Sequence, residues 1–185
     1  MEKKHVDAVE HRIWQFHEFM PKDFVSENSE FVGWLEEKGF FTAPAAVRHH
    51  SNYTGGLFDH SLAVAEALVG YTEKLGLKWE RPWSPYIVGM FHDMCKIESY
   101  VFSPEDGCWT YADDPGVIPG HGEKSVIMLL KRIQLSDEEI ACIRWHMGAF
   151  EGKEMWSGYS GACKKFPNVL YTHTADMYAS QVLGI

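Results

Sequence analysis

The sequence predicts an all-α fold interrupted by one short β-hairpin near residues 98–112. Three observations carry that expectation. Apolar residues recur at steps of three and four through most of the chain. The breaks between these runs carry Gly, Pro or a capping pair. Only one stretch instead alternates aromatic and small residues on both sides of an Asp-Gly turn.

A first helix is expected over residues 5–20, where Val6, Val9, Ile13, Phe16 and Met20 share a face and Pro21 closes the run. Its histidines, His5, His11 and His17, repeat every six residues, which is not metal-ligand spacing; the segment reads as a packing or homodimer helix. Ser26 followed by Glu30 marks a loose N-cap for a second helix carrying Phe31, Trp34 and Leu35 before Gly39. A third spans residues 57–75, with Leu57, Leu62, Ala65, Leu68, Val69 and Leu75, and stops at Gly76. Ser84-Pro85 opens a fourth through Met90, Phe91 and Met94, with proline at its favoured first position.

The hairpin turns at Asp106-Gly107 and carries Tyr100, Phe102, Trp109 and Tyr111, which read as packing or as a lid whose aromatics stack on a base. Gly120 and His121 begin a helix with Val126, Ile127, Leu129, Leu130 and Ile133. Ser136-x-x-Glu139 is a capping box for a helix with Ile140, Ile143 and Met147. Residues 148–161, rich in Gly and Ser, read as a flexible loop, and a last helix covers about 168–182. Without internal repeat, low-complexity run or linker, residues 1–185 read as a single domain.

Composition narrows the function. The chain is 185 residues long and 45% hydrophobic, enough to bury a core without disulfides or structural zinc. A metal here would therefore serve chemistry rather than folding. The net charge of −9, from 26 acidic and 17 basic residues, argues against duplex nucleic acid as a partner. It leaves room for a small anionic substrate, since bound cations reverse the local potential. Cys95, Cys108, Cys142 and Cys163 form no CxxC pair and read as reduced thiols. The charged start and the lack of any run near roughly 18 apolar residues predict a cytoplasmic protein with no membrane partner.

Six polar residues interrupt core-like stretches: His60, His92, Asp93, His121, His146 and Asp176. Each taken singly has a plain explanation, as a hydrogen-bonded core histidine or a capping carboxylate. Together they pose a common problem, because an unpaired buried carboxylate or imidazole is costly. Four imidazoles and two carboxylates are solved most economically by shared cations, and the donor types suit iron, manganese or zinc. Adjacent helical residues diverge by about 100°, so His92-Asp93 on one helix would splay across two metal positions. Lys96, four residues after His92, would share its face and reach a phosphate or Asp93.

The ordered pattern H(60)…HD(92–93)…D(176) resembles the HD superfamily of metal-dependent phosphohydrolases. The matching stretches are PAAVRHHSNYTGGLFDHSLAVA, VGMFHDMCKIESY, GHGEKS, IRWHMG and HTADMYAS, spread over about residues 44–180. The resemblance implies an HD-domain helical bundle, with residues 1–43 as an N-terminal helical extension and 44–180 as the metal-binding core. His121 and His146, between the HD pair and the last Asp, resemble the two-metal branch, which includes cyclic-nucleotide phosphodiesterases. GGLFDHS is similar to the catalytic domain of bacterial 3′–5′ exoribonucleases, whose OB-fold has no counterpart here.

Carried over by position, His60, His92 and Asp176 would hold one ion, Asp93 would bridge, and His121 and His146 would complete the second position. Lys96 matches a phosphate-contacting lysine, and His50 a substrate-contacting or proton-donating histidine. The implied catalytic residues are Asp93, Lys96 and His50. The implied cofactors are two divalent transition-metal ions, iron or manganese first, then zinc, nickel or cobalt. The implied activity is hydrolysis of a small phosphate ester, of a nucleotide, cyclic nucleotide or short oligonucleotide. Two other readings use the same fold: a mixed-valent di-iron oxygenase, and a nucleotide-binding module without turnover.

Overall fold

A computed structural model describes residues 2–47, 51–113, 117, 118 and 120–185. Its helices are α1 (Glu2–Phe19), α2 (Lys22–Glu27), α3 (Ser29–Glu37), α4 (Gly56–Leu75), α5 (Ser84–Phe91), α6 (His121–Leu130), α7 (Asp137–Arg144), α8 (Trp156–Lys165) and α9 (Asn168–Met177). A 3₁₀ turn, Met94–Glu98, follows α5, and a π-helical turn, Tyr178–Leu183, extends α9. Strands β1 (Tyr100–Ser103) and β2 (Cys108–Tyr111) form the expected antiparallel hairpin, the only sheet among the described residues. Tyr100 pairs with Tyr111 and Phe102 with Trp109, each ring pair 5.5 Å apart, across a turn that Gly107 closes at φ 65°. The all-α class with one small β insertion is the architecture found. Among the described residues no helix is long and apolar enough to cross a membrane.

Helix α4 is the axis, packed on α5, α9 and the π-helical turn. It meets α5 at a point that tolerates no side chain. A Cβ on Gly89 would lie 2.4 Å from the Ala65 Cα, so glycine against alanine sets the depth of the crossing. The start of α4 is equally tight. Gly55 takes φ 92°, and a Cβ on Gly56 would strike the Ser51 carbonyl oxygen at 2.1 Å. Arg12 of α1 then forks onto Asp59 at 2.7 and 2.9 Å, and the Tyr53 hydroxyl donates to the same carboxylate at 3.0 Å. That clamp fixes the turn of α4 immediately before His60.

Helix α7 ties the remaining elements together. The capping box forms as expected: Ser136 accepts from the Glu139 N–H at 3.2 Å, and Glu139 accepts from the Ser136 N–H at 2.8 Å. The buried Glu139 carboxylate also takes Arg81 and, at 2.8 Å, the Ser84 hydroxyl, binding the start of α5. Its neighbour Glu138 accepts from the Glu80 N–H and from the Asn168 amide, binding the start of α9. Helices α5, α7 and α9 thus share one knot at their N-terminal ends, which aligns their opposite ends.

Four expectations are corrected. Residues 22–27 form α2, so Ser26 lies inside a helix and caps nothing; Asn28 stands between α2 and α3. The stretch 148–161 is not one loop, because α8 begins at Trp156. Its Gly158 lets the helix sit on Trp145, whose ring a Cβ would meet at 2.8 Å. The helix through Met94 ends at Phe91, and His92-Asp93 occupies the break before the 3₁₀ turn. His146 lies just past the end of α7 rather than within it.

Candidate metal centre

Three histidines come from different elements and are oriented in one way. His60 donates from Nδ1 to the Ile185 backbone oxygen at 2.9 Å, His92 to the Gly89 carbonyl at 2.8 Å and His146 to the Ile143 carbonyl at 2.7 Å. A carbonyl only accepts, so each Nδ1 carries the hydrogen and each Nε2 turns inward. For His92 and His146 the acceptor sits three residues upstream, so the end of each helix orients its own ligand. For His60 the acceptor is 125 residues away, delivered by the π-helical turn after Asp176.

The inward atoms converge on two carboxylates. His60 Nε2 lies 3.2 Å from His92 Nε2 and 3.3 Å from Asp176 Oδ1. Asp93 turns Oδ2 to His92 Nε2 at 3.8 Å and Oδ1 to His146 Nε2 at 3.5 Å. With both Nδ1 atoms donating elsewhere, two Nε2 atoms at 3.2 Å present lone pairs to each other. That contact needs a positive charge, a proton or a metal ion, beside it. The His146 Nε2 is buried and has no hydrogen-bond partner among the described residues.

Electrostatics agree with a cation-seeking site. Burial raises the cost of ionising Asp93, yet Lys96, His146 and His92 hold it well below the usual carboxylate range. Asp176 is likewise lowered, against its burial, by His60, His92 and His146. Burial opposes charge on His60 and His146, but their carboxylate partners, Asp176 and Asp93, lift both above the ordinary histidine value. Burial wins at His92, which falls to about 4. Asp176 and Asp93 thus favour positive charge on His60 and His146, a charge that divalent ions would also supply.

A pH dependence follows from His92. A fold value of about 4, below the ordinary 6.5, means that His92 keeps a neutral Nε2 donor as pH falls through 6 and 5. Histidine NMR of chelator-treated protein is expected to show His92 neutral at pH 5, with His60 and His146 already protonated. A His92 that protonates above pH 6 would contradict this.

His121 opens α6 on the exposed side and meets Cys95 Sγ with its Nδ1 at 3.6 Å. It joins the cluster through Asp93 and Cys95. Two donor sets result: His60, His92 and Asp93, and Asp93, Cys95 and His121, the donor atoms of each lying within 4.8 Å of one another. Either could hold a metal ion, and Asp93 belongs to both. Lys96 lies over Tyr100, its Nζ 3.4 Å from the phenol oxygen, and keeps its charge against burial because of Asp93. His50 lies outside the described residues.

Beside the second set opens a cavity of about 780 Å³, walled by Tyr100, Tyr111, Ser99 and Lys124, with Cys95 and His121 among its lining. Cys95 was not anticipated as a donor. Its signal was its place two residues after Asp93, whereas the cysteines drew notice only for lacking a CxxC pair. The Ile185 backbone oxygen leaves no mark in any side-chain pattern. Compared with family models, with curated proteins and with solved structures, the chain matches none.

Proposed function

We propose that the chain is a metal-dependent phosphohydrolase of the HD type, acting on a phosphate ester of a nucleotide, cyclic nucleotide or short oligonucleotide. The observation that carries this reading is Asp93, which offers one oxygen toward His92 and the other toward His146, between imidazoles whose Nδ1 atoms are already engaged. His60, His92 and Asp176 would hold one divalent ion, His121 and His146 the other, with Asp93 shared. Iron or manganese suits the nitrogen and carboxylate donors. Such ions, when bound, activate water near neutral pH and neutralise phosphoryl charge.

The protein's own groups do the rest. The carbonyls of Gly89 and Ile143 hold the imidazole rings in one orientation, so no rotation is needed on binding. Lys96 supplies a fixed positive charge for phosphoryl oxygens, steadied by Asp93 and the Tyr100 hydroxyl. Tyr111, exposed and lining the adjoining cavity beside the buried Tyr100, would offer a face on which a base can stack. Lys124 adds a second cation at the wall, while its contact with Glu98 at 3.3 Å keeps it extended.

The test is metal analysis of anaerobically purified protein, followed by a screen of phosphate esters with manganese and ferrous iron. Two ions per chain and release of phosphate or nucleotide without oxygen uptake are expected. Oxygen consumption with no ester cleavage would replace the reading by an oxygenase. Tight nucleotide binding without turnover across the panel would replace it by a binding module.

A further inference from the structure

We infer that Cys95 is a metal ligand, so that the second ion position has a sulfur donor and the two positions differ in chemical character. The inference rests on the metal-dependent reading above and adds to it a residue outside the six. The Cys95 side chain is buried in the 3₁₀ turn, and its backbone N–H donates to the Ser125 hydroxyl at 3.1 Å, which fixes the turn against α6. Its Sγ faces His121 Nδ1 at 3.6 Å, and both atoms lie within 4.8 Å of an Asp93 oxygen.

A buried thiol next to a histidine has a simpler account, an S–H donated to Nδ1. That account leaves the surroundings unexplained. The Asp93 carboxylate lies within reach of both groups and takes no part in that bond, while its Oδ1 faces the buried His146 Nε2 at 3.5 Å. A carboxylate, a thiol and an imidazole within 4.8 Å of one another form a mixed donor set, and the thiol and the imidazole line the cavity. An S–H···N bond joins the thiol and His121 and leaves the Asp93 carboxylate out, whereas a cation takes all three donors.

Binding is a ligand exchange with no redox change. The Cys95 S–H bond breaks, its proton passes to solvent, and the sulfur lone pair forms the bond to the ion. Sulfur selects borderline-soft ions, so this position favours zinc, cobalt or ferrous iron over magnesium or calcium. The other position, with nitrogen and oxygen donors, carries no such preference. A chain loaded with zinc and manganese together should sort them, with zinc beside Cys95.

The experiment uses the full chain loaded with cobalt(II) and, separately, with zinc. Cobalt bound through a thiolate gives a near-ultraviolet charge-transfer band in addition to its visible d–d bands. That band should be present in the unaltered protein and in Cys108→Ser, whose thiol is exposed, and be lost in Cys95→Ser while one cobalt stays bound. If Cys95→Ser does not fold, X-ray absorption of the unaltered zinc-loaded chain decides, with a sulfur scatterer expected at about 2.3 Å. Metal bound through nitrogen and oxygen alone overturns the role of Cys95 and leaves the metal-dependent reading standing. Failure to bind any divalent ion overturns both.

Discussion

Replacing Asp93 by Ala is expected to strip both metal ions from the chain, whereas His60→Ala is expected to remove one. The asymmetry comes from how the donors are shared. Asp93 is the member common to both donor sets, and its two oxygens face different imidazoles, His92 and His146. His60 belongs to one donor set, its Nε2 lying 3.2 Å from His92 and 3.3 Å from Asp176. Losing a group that merely orients a ligand costs about 10–100-fold in metal affinity. Losing a ligand of both ions should cost more than that at each position, enough to empty both at micromolar metal. Asp93→Asn makes the sharper comparison, because it keeps the shape and removes the charge that draws the ions. Metals per chain after gel filtration, with helical content checked by circular dichroism, reads the result. Two ions retained by a folded Asp93→Ala protein would show that the carboxylate is not shared.

Much of this was legible in the sequence, for identifiable reasons. Periodic apolar residues located α1, α4, α6 and α9, and the Ser136/Glu139 box and the Ser84-Pro85 start marked their helices because those signals act over one turn of chain. What escaped depends on contacts between distant segments. Helix α8 hid behind Gly158 and Gly161, which resemble loop punctuation. Part of what holds it is the tilted contact of Tyr159 with Trp145, whose ring also carries the Arg144 guanidinium at 4.0 Å. The same limit applies at the site. The HD pair was expected on one helix, splayed by helical geometry, but the splay is made by the backbone: Asp93 has φ −103° and ψ 25°, where the α-helix gives way to the 3₁₀ turn. The polar residues were recognisable because each interrupts an apolar run. Which of them meet was not, since the partner of His60 Nδ1 lies 125 residues away and the partner of His121 is a cysteine.

The position next to the HD pair should dominate stability rather than chemistry. Phe91→Ala is expected to cost about 3–5 kcal/mol, the range for deleting a large aromatic from a close-packed core. Phe91 is fully buried, and four rings converge on it: Phe16 of α1 at 6.3 Å, Phe24 of α2 at 6.1 Å, Phe31 of α3 at 5.2 Å and Phe40 at 6.0 Å. Those rings come from the first 43 residues, so Phe91 is where the N-terminal segment grips the helix that ends just before His92. The cavity left by its removal cannot be refilled easily, because its neighbours are themselves fixed by edge contacts, Phe16 and Phe40 both against Phe41. For a chain of this size the loss amounts to a fall in Tm on the order of 10 °C. Phe102→Ala provides the contrast: Phe102 is 47% exposed and pairs mainly with Trp109 across the hairpin, an interaction worth roughly 0.2–1 kcal/mol. Denaturant unfolding of both variants in chelator separates this effect from metal binding. A Phe91→Ala loss no larger than that of Phe102→Ala would mean that the N-terminal helices do not stabilise the core that carries the histidine cluster, and that the ring cluster is a consequence of packing rather than its anchor.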